Sequence, residues 1–127
     1  MNSKILRVLI LLTYKGKALL LYRSENPLDQ GQREWSFIEG IKGVEESFEQ
    51  ALFRKVEGEA SIKIKGIEFI SRHFYHARLT DDNVNSIVRG EGQLLNFFTL
   101  AELQKLSLSP SSREFVSNYG NLIGNTL

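Results

Sequence analysis

The chain has 127 residues with 16 Lys+Arg against 15 Asp+Glu, which gives room for one domain (residues 1–127) burying roughly two-thirds of its unfolded surface. A hydrophobic content of 42% with only two prolines excludes the disordered and collagen-like classes, and a formal charge of +1 supplies no field that holds nucleic acid or an anionic membrane. The absence of cysteine removes disulfides, thiolate zinc sites, iron–sulfur clusters and cysteine nucleophiles together.

Lys4 and Arg7 precede the apolar residues 8–12, a pattern that superficially imitates a signal peptide. No small-residue cleavage site follows, and Lys15-Gly16-Lys17 interrupts the run before a second apolar segment at residues 18–22, so strand, turn, strand is the better reading. No segment approaches the ~20 apolar residues of a membrane helix, and a cytoplasmic protein is expected. Residues 23–34 carry the turn signals Asn26-Pro27 and Gln30-Gly31 and predict an exposed loop, after which residues 35–40 re-enter the core.

Ser47-Phe48-Glu49-Gln50 has the capping-box arrangement, and Phe48, Ala51, Leu52 and Val56 follow at helical spacing, so a helix starts at Ser47 and ends near Gly58. Ile62 and Ile64 alternate as in a strand, and residues 67–79 predict more strand after a break at Gly66. Residues 80–93 read as a loop and residues 94–98 as a short strand. Thr99-Leu100-Ala101-Glu102 and Ser111-Ser112-Arg113-Glu114 repeat the capping box, and the last helix places Phe115, Val116, Tyr119, Leu122 and Ile123 on one face. The predicted class is α/β, a mixed β-sheet flanked by helices.

Several chemical motifs fail on their spacing. Gly16-Lys17 lacks the earlier glycine and the following Ser/Thr of a phosphate loop. Asp81, Asn83 and Asn85 match the start of a calcium loop, but Ser86 and Gly92 replace its glycine and its bidentate glutamate. His73 and His76, three apart on a predicted strand, fall on opposite faces and read as structural or exposed. No G-x-S-x-G elbow marks a serine hydrolase.

The densest acidic segment comprises Glu39, Glu45, Glu46, Glu49, Glu57 and Glu59. By itself it would be a solvated helix face. Its spacing, however, with Gly40, five residues, Glu46, seven residues, Arg54, then Val56, Glu59 and Ile62, resembles the Nudix box G-x5-E-x7-R-E-U-x-E-E-x-G-U, where U is a bulky aliphatic. Six of nine fixed positions match without a gap. Residues 18–23 look like the family's second strand, Trp35-Ser36-Phe37 like its approach to the box, and residues 97–103 like its late strand-to-helix junction, so the resemblance spans essentially the whole chain.

The resemblance implies an α/β/α sandwich with a loop–helix–loop metal site, and hydrolysis of a nucleoside diphosphate linked to another moiety. In such chemistry clustered carboxylates hold Mg²⁺, or Mn²⁺, which neutralises charge developing on phosphate oxygens and activates water. Carboxylates at n, n+3 and n+4 of a helix point to one side and form that cage. Here the three positions are Lys55, Gly58 and Glu59, and Ser61 replaces the closing glycine. The expectation is a hydrolase of weak or altered activity, with a non-catalytic nucleotide-binding or regulatory module as the alternative.

By the resemblance, Glu59, Glu46 and Arg54 are the candidate catalytic groups, and Glu59, Glu46 and Glu91 the candidate ligands of a weakly held or absent metal. Glu45 and Glu49 are further oxygen sources. Gly40 and Arg23 are candidate ligand contacts, joined by Trp35, Arg72 and Tyr75, with Trp35 more expected in the core than against a ligand. Glu46 and Arg54 are expected to pair and shape the loop. Lys55 and Glu59 are expected to form an exposed pair contributing only ~0.3–0.5 kcal/mol. Glu39, beside Gly40, is expected to obstruct phosphate approach. The expected partner is a small nucleotide derivative, and oligomeric state, a homodimer included, is not legible.

Overall fold

A computed structural model describes residues 7–23, 34–90 and 93–124. β1 (Arg7–Tyr14) and β2 (Lys17–Arg23) are antiparallel, joined at Lys15-Gly16 with φ of 48° and 78°. Two successive positive φ values are what a tight hairpin turn of matching twist requires, so the Gly16-Lys17 pair belongs to a turn, as its spacing implied. Neighbouring β1 residues face opposite sides. Val8, Ile10 and Leu12 enter one core, Leu9 and Leu11 the other, which explains the unbroken apolar run.

The next two strands set up the site. β3 (Trp35–Ser36) pairs with β2, whereas β4 (Ile38–Ile41) pairs antiparallel with the first half of β1. Phe37 between them is fully buried. Because β6 (Phe74–Arg78) runs parallel along the opposite edge of β1, β2 and β4 must share one edge. β1 and β2 therefore touch only at their turn end and diverge, and β3 and β4 fill the two sides of the gap. β7 (Gln93–Phe98) covers the other edge of β2, and β5 (Glu68–Ser71) lies outside β6.

α1 (Phe48–Ala60) begins with the expected reciprocal cap, Ser47 accepting from the Gln50 N–H while the Gln50 side chain takes the Ser47 N–H. It buries Leu52, Val56 and Ala60 against Val8, Ile10 and Ile38. Full burial of such aliphatic side chains stabilises by roughly 1.5–3 kcal/mol each, more than enough to carry the helix past Gly58 to Ala60. Ser61 then caps it in the left-handed region at φ 60°. On the opposite sheet face lie α3 (Leu100–Leu103), α4 (Pro110–Tyr119) and α5 (Asn121–Gly124), packing Leu103, Phe115 and Ile123 onto Leu9, Leu11 and Leu20. The result is the expected α/β/α sandwich around a mixed sheet.

Four sequence expectations are corrected. Residues 61–67 are not strand; Ile62 and Ile64 are buried from an extended linker. The long strand over residues 67–79 is a hairpin, β5 and β6, turning at Arg72-His73 with Arg72 at φ 47°. Residues 80–93 contain α2 (Asp81–Asn85), capped by Thr80 and Asn83, with Asp81 accepting from the Tyr14 hydroxyl at 2.6 Å. α4 starts at Ser109, with Pro110 in its first turn, rather than at Ser111. The turn signals at residues 26–27 and 30–31 lie outside the described residues. No described helix is long and apolar enough to cross a membrane.

His73 is exposed in the hairpin turn, and His76 is buried. His76 Nε2 lies 2.7 Å from Thr13 Oγ1 and Nδ1 lies 3.3 Å from Glu68 Oε1. A carboxylate only accepts, so Nδ1 donates to it and Nε2 takes the Thr13 hydroxyl proton. Burial lowers the His76 pKa, partly offset by Glu68.

Candidate functional site

The loop between β4 and α1 is organised by one carboxylate. Arg54 Nε donates to Glu46 Oε2 at 2.8 Å, and its NH2 group to Glu46 Oε1 and the Ile41 carbonyl, both at 3.0 Å. The Gly43 N–H donates to the same Glu46 Oε1 at 2.8 Å. A Cβ at Gly43 would stand 3.2 Å from that oxygen, so a glycine lets the backbone approach. This bidentate fork and the backbone bond bring the Glu46 pKa down to about 2. The expected Glu46–Arg54 pair is present.

Beside Arg54 on α1, Lys55 and, one turn on, Glu59 face a cleft of about 540 Å³ that opens where the sheet divides between β3 and β4. Glu59 is 7% exposed, and its Oε1 accepts from Gln93 Nε2 at 3.3 Å. Lys55 Nζ lies 4.0 Å from Glu59 Oε2; with only 33% of the lysine side chain and 9% of the glutamate side chain accessible, the pair is half-buried rather than the exposed pair expected. Arg7 and Glu39 form the β1 and β4 wall. Glu39 accepts from the Ser111 hydroxyl at 2.6 Å, and Arg7 NH1 lies 3.9 Å from it. Ser109 reaches the cleft because the Trp35 backbone pairs with Ser107 and Ser109.

Gly40 is buried against α1, where an added Cβ would lie 3.4 Å from the Ala51 carbonyl oxygen, so its place is in strand–helix packing and not on the cleft wall. Trp35 packs between Tyr22 and Phe98, with ring centroids 5.1 and 4.9 Å away. Tyr75 is buried in the α1-side core and Arg72 sits in the far hairpin turn; neither lines the cleft. Glu91 and the Arg23 side chain lie outside the described residues. Arg7, Glu34, Ser36 and Gln93 were missed in the sequence, because their approach depends on how the strands pair.

A divalent cation of the Mg²⁺ type needs several hard oxygens in near-octahedral array. The described residues do not fit it. No group of three or more His, Asp or Glu side chains among them converges on one point, and Glu45 and Glu49 are exposed. Both Glu46 oxygens are engaged by Arg54 and Gly43, and a lysine ammonium stands beside Glu59.

A family model described as the NUDIX domain matches residues 4–119. The chain belongs to the Nudix family. No curated protein matches it. Among solved structures, a mutT/nudix family protein from Listeria innocua superposes with a TM-score of 0.73 at 17% identity, covering 97% of this chain and 96% of that one. A NUDIX hydrolase from Nitrosomonas europaea gives 0.69 at 15% identity, covering 98% and 94%. The NUDIX domain of Shewanella oneidensis NrtR, in complex with ADP ribose, gives 0.68 at 18% identity, covering 97% and 90%. At these identities the likeness is one of fold. Nudix hydrolases generally use divalent metals, which makes the donor set of this cleft the feature to explain.

Proposed function

We propose that this Nudix protein binds a nucleoside diphosphate linked to another moiety in the cleft between β4 and α1, and hydrolyses it only weakly. The observation that carries this reading is the contrast between the two halves of the box. The loop half keeps its shape through Glu46, Arg54 and Gly43, while the helix half presents Lys55, Gly58 and Glu59 where the family pattern has three carboxylates. Glu46 is assigned to shaping the loop and Glu59 is the one remaining helix carboxylate at the cleft. The choice of ligand class is supported by family membership and by the ADP ribose held by the Shewanella NUDIX domain.

The test is a screen with Mg²⁺ or Mn²⁺ across nucleoside diphosphate derivatives, ADP-ribose first, in which hydrolysis yields two phosphomonoesters and a coupled phosphomonoesterase frees their phosphate for detection. Slow release, well under the ~1–10³ per second of ordinary enzymes, is expected. Turnover inside that range overturns the weak-hydrolase reading. The half-buried Lys55 ammonium beside Glu59 favours a second reading, a binding module without hydrolysis, for which the same screen shows no release at all while calorimetric titration with the same derivatives shows binding.

A further inference from the structure

Among the described residues three cations line the cleft, and they are not equivalent. Arg54 commits its Nε and NH2 donors to Glu46 and the Ile41 carbonyl, which leaves only NH1 unengaged by any described residue. Lys55 makes no hydrogen bond among the described residues; its only partner there is Glu59 Oε2 at 4.0 Å, beyond hydrogen-bond reach. Arg7 is likewise only 3.9 Å from Glu39, whose carboxylate already accepts from Ser111. Two cations on facing elements, β1 and α1, therefore bring unfilled donors to one cleft.

Charge points the same way. The box pattern puts three carboxylates at positions 55, 58 and 59, a face that cannot accept a diphosphate until a divalent cation bridges the two, whereas Lys55, Gly58 and Glu59 sum to zero. An ammonium can donate directly to phosphate oxygens, and a half-buried one keeps much of its attraction because water screens it less. Glu59 holds the amine near α1 without saturating it.

Resting on the nucleotide reading above, we infer that Lys55, with Arg7 opposite, takes over the diphosphate-neutralising role of a divalent cation, so that ligand binding in this cleft is independent of metal.

The experiment is calorimetric titration of the full chain with a panel of nucleoside diphosphate derivatives, in EDTA and in excess Mg²⁺. The expected result is at least one ligand with the same Kd in both conditions within about twofold, weakened by roughly tenfold or more in EDTA by Lys55→Ala and restored in large part by Lys55→Arg. Lys55→Gln, which keeps much of the aliphatic stem, repeats the test if the alanine variant melts early. Binding that requires Mg²⁺, or a folded Lys55→Ala or Lys55→Gln protein that binds like the parent, overturns this inference and leaves the nucleotide reading standing. If no panel member binds the parent in either condition, the nucleotide reading fails and the inference falls with it.

Discussion

Glu46 binds a guanidinium and a backbone N–H through the same two oxygens, so its ionised form is tied to the folded loop. Its pKa falls from an ordinary 4.5 to about 2 in the fold, chiefly through the Arg54 hydrogen bond. The lowered value means that its stabilising contribution is complete above about pH 4.5 and is lost as pH falls toward 2. Glu46→Gln should therefore lower the melting temperature at neutral pH and flatten the parent's acid loss across that window; identical acid profiles would remove this role. Arg54→Ala should also melt earlier, since it takes the guanidinium from Glu46, leaving it the Gly43 N–H, and removes the side-chain donor of the Ile41 carbonyl. His76 provides a second titration. Burial favours its neutral form, so the unfolded chain takes up a proton more readily and stability should fall as pH drops below the ordinary histidine value of 6.5. NMR titration of the ring should give a pKa under 6.5, and a value at or above it contradicts the burial argument.

Helix α1 carries two residues at odds with its own geometry. Gly58 sits in its last turns, where an added Cβ meets nothing within 4 Å, so Gly58→Ala should stabilise by about 0.5–1 kcal/mol. Ser61 caps the helix at φ 60°, a conformation that costs an L-residue about 1–2 kcal/mol. That is a physical reason for a closing glycine at this position of the box. Ser61→Gly should give a net gain of about 0.5–1 kcal/mol after its added unfolded-state freedom is subtracted. Denaturant titration measures both, and a loss of stability in either variant refutes the local argument. The elements legible in the sequence were those with a periodic face and a cap, such as α1 from Ser47 and α3 from Thr99. The β5–β6 turn was not legible, because Arg72 occupies a left-handed position that sequence reasoning reserves for Gly or Asn. Ser111 matched a capping pattern, but its hydroxyl serves Glu39 while Ser109 caps α4. Two serines two residues apart do not show which of them turns inward.

At the scale of the molecule, the two halves of the site differ in what the sequence disclosed. The box segment is local in sequence, so Glu46, Arg54, Lys55 and Glu59 could be placed by spacing alone, and the fold brings the last three onto one cleft. The opposite wall is assembled from β1, β3, β4 and the start of α4, and no spacing links Arg7 to Glu39 or Ser111; only the divided edge of β1 brings them together. The same division makes the site open to reconstruction. Lys55→Glu with Gly58→Glu restores carboxylates at n, n+3 and n+4 with Glu59, and the empty space around Gly58 accepts the added side chain. Without metal, the new like charges beside Glu59 should lower the melting temperature below that of the parent. Mg²⁺ should then reverse that loss by binding only the folded state, by about 2.7 kcal/mol at a concentration of 100 times Kd. The parent, whose Lys55 ammonium repels a cation from Glu59, should show no comparable Mg²⁺-dependent shift. Melting curves with and without Mg²⁺ decide it. An equal shift in parent and double variant means that the parent already holds a metal through groups such as Glu91, whereas no shift in a folded double variant means that the helix carboxylates do not converge as the spacing requires. Should the double variant bind Mg²⁺ and still release no phosphate, the defect lies in how the substrate is held, and the Glu39–Ser111 contact on the wall facing α1 becomes the group to change next.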